Sequence, residues 1–142
     1  MTGVFSHDED DDPTVERTDD EWRARLSERE FAVLRRGGTE RPWSGEYVDN
    51  KGVGSYHCRG CDQEVFRART KFETTTGWAS FYAPSSAANV QLRPDLSGKL
   101  PRIAVRCSAC HSHLGHVYND APQTPTGDRY SINSASIRFR PN

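Results

Sequence analysis

The sequence contains no apolar run near the roughly 18 residues that a membrane-crossing helix needs. It also lacks any excess of positive charge. The formal net charge is -1, whereas neutralising phosphates takes a clear basic surplus, so no nucleic acid is expected as partner. The opening stretch MTGVFSHDEDDDPTVER has no apolar core of a secretory signal. The expectation is therefore a cytoplasmic protein without membrane contact. Hydrophobic residues make up only 34% of the 142 residues and 27% are charged, which suits one domain around one modest core. Cysteine is scarce too: there are four.

The acidic run His7-Asp8-Glu9-Asp10-Asp11-Asp12 repels itself and has nothing to bury, so residues 1–17 are expected to be a disordered tail on a domain of residues 18–142. Thr18 with Glu21, and Ser27 with Glu30, are capping boxes. Trp22 and Leu26 follow the first at helical spacing, and Phe31 and Leu34 follow the second, before Gly37-Gly38 ends the segment. This predicts two short helices, 19–25 and 28–36, packed on the main body. After Pro42 no long 3.6-residue period recurs. Short alternating runs (GEYVD, GSYHC, EVFRA, VQLRP, RIAVRC, HLGHVYND) are punctuated by Gly, Pro, Asn and Asp, which predicts a mainly β domain. APSSAAN, at 83–89, reads as a loop or a single turn. DRYSINSASIRFRPN reads by alternation as one terminal strand, with Ser131, Asn133, Ser134 and Ser136 where packing favours apolar groups.

All four cysteines fall in two pairs, Cys58-Arg59-Gly60-Cys61 and Cys107-Ser108-Ala109-Cys110. A CxxC turn places two thiolates on one side of a tight loop, and two such turns supply four sulfurs for tetrahedral Zn²⁺. A thioredoxin-type redox pair would open a helix in a βαβ setting, which is missing here. A chain without a secretory signal also argues against disulfides. With all four thiols on a structural zinc, none is left for catalysis.

The second pair runs into His111, His113 and His116. Spacing alone leaves three readings open for these imidazoles: a metal site, a substrate pocket, or surface and structural residues. Against a metal, no carboxylate stands at the spacing of a second complete site. In TKFETTTGWASFYAP, Trp78 after Gly77 would wall a pocket or, with Phe81, belong to the core.

Five stretches, GTERPWSGEYVD, YHCRGCDQEVF, TKFETTTGWASF, VRCSACHSHLGHVYND and PTGDRYSINSASIRF, taken in order resemble the methionine-R-sulfoxide reductases of the B class across roughly residues 18 to 141. The resemblance implies a β-tent of two antiparallel sheets with short N-terminal helices and a distal structural zinc on Cys58, Cys61, Cys107 and Cys110. It implies repair of oxidised methionine, free or in peptides, by a monomer that draws on a thiol reductant such as thioredoxin when active. Trp78, with Phe81, falls on the substrate-binding wall. His113, His116 and Asp120 fall on the proton-delivering side, and Arg129 and Asn133 flank the nucleophile. That nucleophile is a cysteine in the family; here its position is Ser131. The resolving cysteine position is Thr76, and a proline of the family is Ala79.

The serine is at odds with the reaction. A sulfoxide sulfur becomes electrophilic once its oxygen is protonated. The attacking group must ionise near neutral pH, accept the oxygen as a sulfenic acid and release it to another thiol. A hydroxyl does none of these. Three readings follow: a replacement that stops turnover in an intact pocket, a native homologue that binds sulfoxides, or hydrolysis with Ser131 activated by His113 or His116.

Overall fold

The computed structural model describes residues 12–142. Thr18 and Ser27 cap helices α1 (Asp19–Arg25) and α2 (Glu28–Arg36) as expected: each hydroxyl accepts the N–H of the glutamate three residues on, and that glutamate's carboxylate accepts the cap's N–H. Gly37, at φ 72°, ends α2 in the left-handed conformation that glycine adopts without strain. Trp22, Phe31 and Leu34 face the core. Among the described residues no helix is long and apolar enough to cross a membrane.

The remainder forms two antiparallel sheets. Strands β1 (Gly54–Cys58), β2 (Glu64–Arg67) and β9 (Ile137–Pro141) make a three-stranded sheet in the order β2-β1-β9. Strands β3 (Lys71–Phe72), β4 (Ala79–Phe81), β5 (Val90–Asp95), β6 (Arg102–Cys107), β7 (His113–Ala121) and β8 (Gly127–Ile132) make a six-stranded sheet in the order β3-β4-β8-β7-β6-β5. Between them lies an aromatic core. Phe66 stacks on Phe81 with centroids 4.5 Å apart, and Tyr56 meets Phe81 edge-on at 5.1 Å.

The C-terminal stretch departs from the sequence reading. It is not one strand but two, β8 and β9, in different sheets, joined through Asn133 and a 3₁₀ turn, Ser134–Ser136. Alternation continues through the turn because its serines are buried and bonded to main chain. Ser134 Oγ accepts the Tyr47 N–H at 3.1 Å, and Ser136 Oγ donates to the His113 carbonyl at 2.9 Å. Two of the four polar residues thus tie the crossing between sheets.

Most of the acidic segment, residues 1–11, lies outside the described residues. Its end is not free: the Val15 N–H donates to the Ala109 carbonyl at 2.8 Å, and the Arg17 guanidinium lies 4.7 Å from the Trp22 ring. The expected tail therefore stops short of residue 17, because Val15 docks on the second cysteine turn and Arg17 on Trp22 and the Gly60 carbonyl of the first.

Candidate active site and metal centre

The two cysteine turns are the same loop built twice. In each, the first cysteine's carbonyl accepts an N–H from the residue after the second cysteine (Asp62 to Cys58, 2.7 Å; His111 to Cys107, 2.8 Å). Each first cysteine also donates its own N–H one residue further on, to Gln63 and Ser112. Asp62 and His111 take positive φ, 75° and 63°. The loops bring four sulfurs within 4.8 Å of one another. Cys58 and Cys110 are 3.7 Å apart and Cys61 and Cys107 3.6 Å, too far for a disulfide, whose S–S length is about 2.05 Å. A tetrahedron with Zn–S bonds of about 2.3 Å has edges near 3.8 Å. The donor set fits Zn²⁺. Without a cation, hydrogen bonds from neighbouring thiols pull Cys110 toward the thiolate, while Cys58 is pushed up by the same neighbours. A bound cation would let all four sulfurs be thiolates at this spacing.

At the far end of β6 and β7 lies a small cavity of about 70 Å³ lined by Thr39, Trp78, Arg102, Gly115, His116, Tyr118, Ser131 and Asn133. Register builds it. Ser131 on β8 pairs with His116 on β7 and with Ser80 on β4, and directly opposed side chains lie about 5 Å apart. Gly115 is required: a Cβ there would strike the Ser131 main chain. The cavity admits the tip of one side chain, well below the size of a drug-like site. A larger groove of about 430 Å³, lined by Asn50, Lys51, Lys71 and Phe72 among others, contains none of the expected residues; convergent polar groups, not size, mark the small cavity as the site.

His116 is 6% exposed, and its Nε2 lies 2.7 Å from Asp95 Oδ2. The Ser97 hydroxyl, His116 and the Ser97 N–H hold Asp95 far below the ordinary carboxylate range. An ionised Asp95 only accepts, so the Nε2 carries the proton. Arg102 donates to the same carboxylate at 3.2 Å. His113 does not line the cavity; its ring packs edge-on against His116 at 5.1 Å. Burial, reinforced by the neighbouring His116, pushes His113 down to about 4, so it is neutral at pH 7.

Asp120 and Arg129 form a two-pronged ion pair at 3.0 and 2.9 Å, with the guanidinium 4.6 Å over the Tyr118 ring. They brace Tyr118, which lines the cavity, rather than lining it themselves, and Asp120 compensates the charge of Arg129. Asn133 donates from Nδ2 to the Leu114 carbonyl at 3.1 Å and accepts the Glu40 N–H on Oδ1 at 3.0 Å. Trp78 donates its indole N–H to the Glu40 carbonyl at 3.0 Å. Thr76 Oγ1 meets Thr74 Oγ1 at 2.8 Å, and Thr74 in turn meets Ser80 at 3.3 Å, so position 76 lies two hydroxyls from the strand partner of Ser131.

Of the residues expected at the site, Trp78, His116, Ser131 and Asn133 line one cavity, and His113, Asp120 and Arg129 sit directly behind it. Phe81 does not join them. It is fully buried, pairs with Tyr130 and lies on the core face, one residue out of phase with Ser80. Asp95, Arg102, Thr39, Tyr118 and Glu40 were missed. For Asp95 a faint signal existed: an acidic residue closing a strand two before a serine.

Two cysteine loops on a fourfold thiol knot, a two-sheet body and a His–carboxylate cavity facing a Trp wall define a zinc-type β domain with a site for one small polar head. Comparison gives the family. The SelR domain matches residues 26–141. The chain is 46% identical over 127 residues to the peptide methionine sulfoxide reductase MsrB of Leifsonia xyli, covering 89% of this chain and 91% of that protein. It is 50% identical over 126 residues to the protein of that name from Methanosarcina barkeri (89% and 88% covered) and 47% over 120 residues to that of Escherichia coli K12 (84% and 87% covered). The chain belongs to the methionine-R-sulfoxide reductase family.

Proposed function

We propose that this chain recognises methionine-R-sulfoxide, free or in peptides, and that with Ser131 at the nucleophile position it holds the substrate without reducing it. The observation that carries this reading is the register of Ser131 against His116 in a cavity walled by Trp78. In that frame Trp78 takes the substrate methyl group. His116, oriented by the bond of its Nε2–H to Asp95, donates to the sulfoxide oxygen from Nδ1 when its ring carries both protons, and neutral His113 packs behind it. The substrate sulfur then faces position 131. A thiolate there forms an S–O bond on loss of methionine and becomes a sulfenic acid, which an external thiol reduces back with release of water. Thioredoxin or a small dithiol would serve such a cysteine form, since position 76 holds no resolving thiol.

With a hydroxyl at 131 no sulfur is present to be oxidised, and the sequence stops at binding. Hydrolysis gains no support: among the described residues Ser131 Oγ makes no hydrogen bond to His113 or His116, the one bond of His116 being to Asp95. A zinc held by Cys58, Cys61, Cys107 and Cys110 would have all its positions filled by protein and would serve to hold the fold. We place the functional unit at residues 18–142, acting as a cytoplasmic monomer. Calorimetric titration with an R-sulfoxide peptide tests the reading. Saturable heat with one site per chain and no methionine formed in excess dithiol supports it; absence of binding, or turnover, overturns it.

A further inference from the structure

Glu40 is a charged side chain with only 6% exposure, and nothing in the chemistry above uses it. Its two carboxylate oxygens accept the N–H groups of Ser134 and Ala135 at 2.9 and 3.0 Å, the start of the turn that follows Asn133. Its own N–H donates to Asn133 Oδ1, and its carbonyl accepts the Trp78 indole N–H, both at 3.0 Å. One residue therefore holds the wall of the cavity, the Asn133 side and the turn between the sheets. The packing around it is closed: a Cβ on Gly45 would overlap both the Glu40 carboxylate and Ser134 Oγ. Arg59, from the first cysteine turn, donates to the Ser134 carbonyl at 3.1 Å on the other side of the same turn. A buried carboxylate is tolerated only when its oxygens are satisfied, so Glu40 has one place to sit, and it takes Trp78 and Asn133 with it.

We infer that Glu40 is a positioning residue that fixes the separation of Trp78 and Asn133 and thereby the preference of the cavity for one sulfoxide epimer. The epimer half rests on the sulfoxide reading; the placement of Trp78 does not. The anchor of the turn lies in the side chain, so exchanging it loosens the main chain of residue 40, on which Trp78 and Asn133 hang.

The test compares the wild-type chain with Glu40→Gln and Glu40→Asp. One readout is the Trp78 indole N–H resonance, assigned by Trp78→Phe, and its rate of exchange with deuterium. The other is calorimetric affinity for peptides carrying R- or S-methionine sulfoxide. In Glu40→Gln one acceptor becomes a donor facing an N–H. The indole signal should move, its exchange should quicken about tenfold, and the R-over-S ratio should fall about tenfold, the scale of one lost charged hydrogen bond. Glu40→Asp, which keeps both acceptors, should recover part of each. An unchanged indole signal and ratio in Glu40→Gln overturns the inference. So does equal weakening of both epimers in both variants with the indole unmoved. If the wild-type chain binds neither epimer, the sulfoxide reading falls, and the indole exchange rate alone decides the role of Glu40.

Discussion

The Cys107 end of β6 leads into a knot of four sulfurs; the Arg102 end of the same strand opens on a cavity with none. The knot is local in origin. Each half is a four-residue loop that closes its own hydrogen bonds, and the two halves match bond for bond. The cavity is assembled from five separate segments, around residues 39, 78, 102, 115–118 and 131–133, which meet through strand register and through the hydrogen bonds of Glu40 to Trp78 and Asn133. The difference shows where the chain has kept sulfur. All four thiols are committed to holding the fold, and the position facing the cavity has a hydroxyl of almost the same shape.

The comparison breaks most severely at the metal. A strong chelator, or Cys58→Ser, should abolish cooperative unfolding and the near-ultraviolet dichroism of the buried aromatics, since structural zinc contributes on the order of 10 kcal/mol to folding. One zinc per chain should be found by metal analysis. A chain that stays folded after metal removal contradicts the role given to the knot.

Next in size is the pair of aromatics three residues apart. Phe81→Ala should cost about 3–5 kcal/mol of stability, as expected for a core aromatic. Its effect on sulfoxide affinity should be small once the protein is folded at low temperature. Trp78→Ala should do the reverse, weakening R-sulfoxide binding by about 2 kcal/mol, roughly thirtyfold, with the smaller loss in unfolding midpoint. Denaturant unfolding and titration of both variants separate core from cavity; the opposite pattern would return Phe81 to the site.

A smaller effect is set by His113, which burial moves from its ordinary 6.5 to about 4. Between those values the unfolded chain binds a proton that the folded chain refuses, so stability should fall as pH drops from about 6.5 to about 4, by at most about 3 kcal/mol. Below about 4 this contribution levels off. Acid release of zinc acts in a similar range, so the measurement is a difference: His113→Gln should flatten the decline in unfolding free energy relative to wild type. Parallel curves would mean that His113 is not buried as the structure has it.

What could be read beforehand follows the same division. The capping boxes and the CxxC turns encode themselves within a few residues, and both appear as expected. The two-sheet body follows from alternation, but alternation also misled, running through Ser134 and Ser136 as if the chain had not turned. Phe81 could have been placed by parity, since Trp78 and Ser80 share a face and Phe81 cannot. Asp95 and Glu40 had almost no signal, because their partners, His116 in one case and Asn133, Ser134 and Trp78 in the other, lie far away in sequence. Arg129 was expected to flank the nucleophile; its guanidinium is instead paired in two bonds with Asp120.

The central claim is that the cavity is intact and lacks only a sulfur, and Ser131→Cys tests it most directly. The exchange replaces oxygen with sulfur on a strand paired on both sides, so the fold should be retained. Mixed with one equivalent of R-sulfoxide peptide and no reductant, the variant should release one methionine per chain and gain one oxygen at residue 131 by mass spectrometry, with turnover only when a dithiol is added. The unaltered chain should release none. A folded Ser131→Cys variant that binds the R-sulfoxide but yields no methionine would contradict the account.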